Sequence, residues 1–336
     1  MSQSPTAFHS HPVNTPLTAG RPGLKTTVAV LFCLALYPLM MLGIGADFYI
    51  LLGTRILILA LAASALNLAL GYGGMISLGH AAFLGAGAYT VAFMANHGMQ
   101  SAWIVVPASA AVAALAAFLI GAASLRTSGV YFIMITLAFA QLLYLMAVSL
   151  PALGGDDGLQ LTTRSTIPGL PLENDLVFYY FVLVVAGLAF ALLYRLVASR
   201  FGQALVAIRE NERRMAAIGY PVYRLKLMAF TLSGGLAGLA GALLANLSMG
   251  VTPHTLTWQQ SGLLMVMVIL GGSGYFWGGI SGAAIFLLLE EAISTQTEHW
   301  NLVLGALLLL IVIVAPNGVM SLRERIAAVF HRGGAQ

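Results

Sequence analysis

Ser199-Arg-Phe-Gly-Gln-Ala-Leu-Val-Ala-Ile-Arg209-Glu-Asn-Glu-Arg-Arg214-Met-Ala-Ala-Ile-Gly219-Tyr-Pro-Val-Tyr-Arg-Leu-Lys226 is the one long segment of this chain that cannot sit in a lipid core. It holds a dense share of the chain's few charges. Phe201, Leu205, Ile208 and Met215 recur at helical spacing, while Arg209, Glu210, Arg213 and Arg214 take other faces. The pattern predicts one amphipathic helix. Gly219 ends it, and Pro221 prevents its continuation. A wet helix hung between greasy spans needs a partner for its apolar face.

Outside that stretch the chain is greasy. It is 60% hydrophobic and 8% charged, against roughly 25% charged in a globular domain. Sixteen Phe stand against two Lys, Lys25 and Lys226. This is an integral membrane composition. The net charge of +4 is too dilute for nucleic-acid binding. Cys33 lies alone in an apolar run, so no internal disulfide forms and redox compartment is unreadable. The 37 glycines suit close helix packing or broken helices.

A span needs about 20 apolar residues. Runs at 25–43, 49–71, 76–96, 102–122, 128–150, 176–197, 227–247, 261–276, 279–294 and 301–316 fit, with the eighth and ninth readable as one broken pair. The fold class is all-α and polytopic, with about ten transmembrane helices. Arg21, Lys25, Arg126, the wet stretch, Arg323, Arg325 and Arg332 then fall on one side. Asp47, Asp156, Asp157, Glu173, Asp175 and Glu298 fall on the other, with only Arg164 against them. The positive-inside rule makes both termini and the wet stretch cytoplasmic. Residues 1–24 read as a disordered cytoplasmic tail, 25–318 as the transmembrane domain and 319–336 as a C-terminal cytoplasmic tail. For the first tail a cleaved signal peptide is the alternative; the next apolar run is long enough to span and no clean small-x-small site follows it.

The outer loop 151–175 is acidic. Gly154-Gly155-Asp156-Asp157-Gly158 is a turn signal first and a contact surface for an external partner second. No calcium-loop ligand pattern is present. Asn67, Gly71, Tyr72, Gly73, Ser77, Gly79 and His80 surround a glycine break, and are candidate lining for a translocation pathway. The equal alternative is a tight turn followed by a helix packed through Ala81, Gly85 and Ala88. Gln141, an amide in mid-span, is either pathway lining or interhelical glue. His80 has no second ligand at metal spacing, so packing or a backbone hydrogen bond is the better reading. Arg55 sits early in its span and is expected to snorkel outward. Glu290 and Glu291 guard an entrance or mark where lipid ends. Gly234, Gly238 and Ala242, with Gly241 and Ala245, form small-xxx-small faces for packing. Gly271 to Gly279 is a second glycine break that loosely echoes Gly71-Tyr72-Gly73-Gly74.

Neither lysine sits in a Walker A context, and no nucleophile elbow or His-Glu-x-x-His occurs. The chain reads as a non-enzyme with no metal and no cofactor of its own. Mid-span acids are absent, which counts against an ion-coupled secondary transporter or channel. A membrane acyltransferase or protease would need a clustered polar site.

The stretches Asn67–Tyr89, Gly129–Tyr144, Ser199–Ala242 and Leu270–Gly282 together resemble the LivM-like permease subunits of ABC transporters for branched-chain amino acids, which are also similar to urea and amide permeases. Asp156–Leu159 and Ala315–Gly318 add weaker matches, and the likeness runs from about Leu52 to Arg323. The resemblance implies the ABC importer permease fold in a bacterial inner membrane. It implies a second homologous permease, two ATPase subunits holding ATP and Mg, and a periplasmic binding protein that docks on the outer face, including Asp156 and Asp157. The substrates implied are branched-chain amino acids, with urea, short amides or aromatic acids as alternatives.

The same resemblance supplies a partner for the wet helix: a groove on the ATPase. Ala216, Ala217 and Gly219 match the heart of the family's coupling loop, and Phe201, Leu205, Ile208, Arg209, Glu210, Glu212 and Met215 join them as candidate coupling residues. Met215 stands where a glutamate is usual, so Glu210, Glu212 or neither takes that part.

Overall fold

The computed structural model describes residues 24–44, 47–296, 299–314 and 318–320. The first tail, Arg21, Glu298, Ala315–Asn317, Arg323, Arg325 and Arg332 lie outside the described residues.

The chain is an all-α polytopic membrane protein. Each apolar run becomes one helix: α1 Leu24–Ile44, α2 Asp47–Asn67, α3 His80–Asn96, α4 Ala102–Ser124, α5 Val130–Ser149 and α6 Asp175–Ala198 before the wet stretch. The wet stretch carries α7 Arg200–Glu210 and α8 Glu212–Ala217. After it come α9 Val222–Ser248, α10 Trp258–Gly271, α11 Gly278–Ser294 and α12 Trp300–Val314. Among the described residues, five helices are long and apolar enough to cross a membrane: α2 with the π-helical turn that extends it, α4, α5, α6 and α9.

The eighth and ninth runs are two helices in a hairpin. A Cβ on Gly271 would lie 1.8 Å from Gly278 O, and one on Gly282 1.8 Å from Met267 O. The backbones touch because glycine leaves room. α10 has 14 residues, about 21 Å at helical rise, short of a hydrocarbon core. The helix of the seventh run, α9, starts at Val222, five residues ahead of that expected run, so Arg224 and Lys226 ride on its first turns.

Lipid is as apolar as leucine, so these helices gain little from hiding apolar surface from one another. Close packing and hydrogen bonds hold them instead. α9 is central and lies against α2, α3 and α4. A Cβ on Gly234 would lie 2.2 Å from Ala117 Cβ, and one on Gly238 2.1 Å from Ala113 Cβ. On its other side Gly241 meets Leu84 O at a would-be 1.8 Å. The small residues form packing faces, as their four-residue spacing predicts.

α1 carries Pro38, which has no N–H for the carbonyl of Leu34. The Tyr179 hydroxyl donates to that carbonyl at 2.8 Å, and the Tyr180 hydroxyl to Ala35 O at 3.0 Å. α6 therefore repairs the gap that proline opens in α1.

At the opposite end from the wet stretch, loop 150–174 folds over the bundle. Gly154, Gly155 and Gly158 all adopt positive φ, so the Gly-Asp cluster is a turn with Asp156 and Asp157 exposed. Leu159–Gln160 pairs antiparallel with Gly250–Val251. Buried Arg164 clamps the loop. It donates to Asn246 O, Leu172 O and Glu173 O, pairs with Asp175 at 2.7 Å, and lies 4.5 Å from the Phe178 ring centre.

Candidate functional site

Two helices, not one, occupy the wet stretch. Asn211 is extended between them at φ −155 and ψ 94. Its side-chain oxygen accepts the Arg214 N–H at 2.9 Å and caps α8. Asparagine competes for backbone groups in this way, so it starts helices better than it continues them. Gly219 at φ +94 ends α8, with Tyr220 N–H donating to Met215 O at 3.1 Å. Glu212 holds Lys226 of α9 at 2.5 Å.

The apolar stripe is covered by the chain itself. Leu205 packs with Phe83, Phe132 and Phe230, and Phe201 lies against the same cluster. Ile208 and Met215 pack with Val222 and Leu225. Leu205, Ile208 and Met215 are buried, which corrects the expectation that this stripe awaits a partner. From Arg209 to Tyr220 every residue but Met215 is exposed, Glu210, Glu212, Arg213, Arg214, Ala216, Ala217, Ile218, Gly219 and Tyr220 among them. Ile218 is 66% exposed and Tyr220 46%, so the apolar surface left for a partner is at the tip of α8.

The two glycine breaks meet beneath α7. After Asn67 the helix widens into a π-helical turn, Leu68–Tyr72, and Gly74 at φ +66 ends it. The Asn67 amide oxygen accepts Gly274 N–H at 2.9 Å, and its amide N–H donates to Tyr275 O at 2.8 Å. Arg209 donates to Gly71 O, and its side chain lies against Gly74 and Gly274. Gly318 completes the junction: a Cβ there would lie 2.3 Å from Gly272 N. One α7 arginine thus touches the breaks of both halves. The spacing of Asn67 from the second break hid this contact from any local sequence pattern.

The expected pathway residues do not open a channel here. Asn67, Gly71, Tyr72, Gly73, Ser77, Gly79 and His80 are buried in helix contacts, and none borders the cavities that hold Arg55 or Glu212. The alternative of a turn followed by a packed helix describes their geometry. Ala81 and Ala88 are buried, and Gly85 lies under Leu256. Ser233 donates to Ala65 O at 2.5 Å, so its oxygen must accept from His80 Nε2–H at 2.8 Å. The His80 ring lies edge-on to Phe83 and Phe230. It is a packed core histidine bonded to a hydroxyl rather than to backbone. Gln141 is half-buried on α5.

Sequence reasoning missed one pair. Arg55 does not merely snorkel: its Nη2 lies 3.4 Å from Glu290 Oε1. A charge on a spanning helix costs about 2.5–3.5 kcal/mol, so such residues pair or face a wet cavity. The two residues are 235 apart in sequence, and only the rarity of charge in these runs signalled them.

The fold is a polytopic helical bundle with a small helix pair at its basic end. Residues 48–312 match the family described as branched-chain amino acid transport system, permease component, and the chain belongs to that family. It is similar to the high-affinity branched-chain amino acid transport permease LivM of Salmonella typhimurium and to that of Escherichia coli, each 29% identical over 279 residues. These alignments cover 76% of this chain and 66% of each relative, so under two thirds of their length is matched. It is also similar to LivH of Escherichia coli, 29% identical over 129 residues, covering 38% of this chain and 41% of that protein. No solved structure matches the chain.

Proposed function

We propose that this chain is the membrane-spanning permease subunit of an ATP-driven importer for branched-chain amino acids in a bacterial inner membrane. Its basic end faces the cytoplasm. ATP and Mg are bound by two separate ATPase subunits, a second permease completes the pathway, and a binding protein delivers solute to the acidic end at Asp156 and Asp157.

The observation that carries the reading is the tip of α8. Ala216, Ala217, Ile218, Gly219 and Tyr220 are exposed at the C-terminal end of a short helix that is anchored by Met215 and by the Glu212–Lys226 pair. A small-residue surface with one exposed isoleucine suits insertion into a groove on an ATPase. Motion of that tip reaches the glycine junction through Arg209. Rigid-body displacement of the helices then opens the path.

The test is a complete complex in proteoliposomes carrying Ala216→Trp or Gly219→Val. Uptake of radiolabelled leucine is expected to fall at least tenfold, while ATP hydrolysis persists and the subunit stays in the membrane. Normal uptake by both variants sinks the coupling assignment. Uptake of urea but not leucine moves the substrate to the amide branch.

A further inference from the structure

Arg55 and Glu290 line a cavity of about 600 Å³, within the range of small-molecule sites. Both residues lie 12 positions from the glycine junction, at Asn67 on α2 and Gly278 on α11. That places them roughly 18 Å from it, toward the acidic end. A second cavity of about 260 Å³ shares Arg55, Leu59, Gln260 and Leu264, and reaches inward to Ala81 and Leu84. Arg55 stands where the two spaces adjoin.

The ion pair is loose. Its one contact is 3.4 Å, against 2.7–2.9 Å for a tight charge-assisted bond. Among the described residues neither side chain has another hydrogen-bond or ion partner. Most of the guanidinium's N–H donors and one carboxylate oxygen are therefore uncommitted. Leu59, Leu263, Leu264, Met267 and Phe286 give the larger cavity an apolar wall.

We infer that this cavity is a binding site for a zwitterionic amino acid, with its carboxylate on Arg55, its ammonium on Glu290 and its aliphatic side chain on the leucine, methionine and phenylalanine wall. The inference rests on the importer reading above and names the cargo contacts for it. A zwitterion replaces the loose pair without leaving either charge alone. A simple anion would leave Glu290 unmatched, and a simple cation would leave Arg55 unmatched. Urea carries no charge for either.

The test measures direct binding to the full transporter complex in nanodiscs, without the binding protein. Saturation-transfer NMR probes leucine, 4-methylpentanoate (no amine) and isoamylamine (no carboxylate). Leucine should bind at least tenfold more tightly than either fragment. Glu290→Gln should weaken leucine and isoamylamine but leave 4-methylpentanoate unchanged. Arg55→Gln should weaken leucine and the acid but not the amine, and Arg55→Lys should restore part of the loss. If the variants weaken all three probes equally, or none, the pair is a structural tie and the inference fails. Leucine uptake with no leucine binding to the wild-type complex overturns the site and leaves the importer reading intact. Absence of leucine uptake by the wild-type complex overturns that reading, and this inference with it.

Discussion

The side-chain amide oxygen of Asn67 accepts the backbone N–H of Gly274 at 2.9 Å, across 207 residues of chain. The same amide donates to Tyr275 O. One residue thus satisfies the Gly274 donor and adds a second bond to Tyr275 O, which also accepts the Gly278 N–H at 3.1 Å. Buried backbone groups without partners cost about 1–3 kcal/mol each.

Asn67→Ala should therefore destabilise the protein by about 1–3 kcal/mol, since the buried Gly274 N–H loses its partner while Tyr275 O keeps the Gly278 N–H. Thermal unfolding in detergent reads the loss. A melting temperature for Asn67→Ala equal to wild type would contradict the junction's structural role.

Arg209→Ala removes the donor to Gly71 O and the side chain that rests on Gly74 and Gly274. Hydrogen–deuterium exchange should rise at residues 68–76 and 271–275 while the bundle stays folded. The expected local cost is about 1–2 kcal/mol. Unchanged exchange in both segments would show that α7 does not hold the junction.

Pro38 and Tyr179 should be coupled. Tyr179→Phe leaves the Leu34 carbonyl without its donor and should cost about 1–2 kcal/mol. In a Pro38→Ala background the restored helical N–H can take that carbonyl, so the same change should cost much less. A double-mutant cycle on chemical unfolding reads the difference. Equal costs in both backgrounds would refute the repair of α1 by α6.

Gly238→Val should prevent close approach of α9 to α4, because even a Cβ would sit 2.1 Å from Ala113 Cβ. Overpacking of this kind costs about 1–3 kcal/mol, or more against backbone. Gly187→Ala, with nothing within 4 Å, is the matched control and should be silent or slightly stabilising. Size-exclusion profiles and melting temperatures separate the two.

Arg164→Ala should loosen loop 150–174 without unfolding the spans. The guanidinium serves three carbonyls and Asp175. Limited proteolysis within this loop should speed up several-fold, while Asp156→Asn, on an exposed side chain, should leave cleavage unchanged.

Ten apolar runs became ten helices because a lipid core forces each backbone to satisfy itself, although five of the described helices reach spanning length. That constraint is local, so it is legible residue by residue. The four-residue glycine spacing on α9 was legible for the same reason. The wet stretch was recognisable by its charge, and its stop at Gly219 by chemistry. Its break at Asn211 falls in the turn where the apolar period lapses, between Ile208 and Met215, and was hidden because Met215 resumes the same face. The burial of Leu205 and Ile208 was hidden too: periodicity shows that a stripe will be covered, not what covers it.

By itself the sequence determined that this chain is a helical membrane bundle with one basic end, because period, length and charge are properties of neighbouring residues. Only the tertiary structure decided that Asn67 reaches Gly274, that Arg209 rests on both glycine breaks, and that Arg55 pairs with Glu290 on the wall of a cavity. Those contacts join residues more than 60 positions apart, where no helical period carries information and only packing selects the partner.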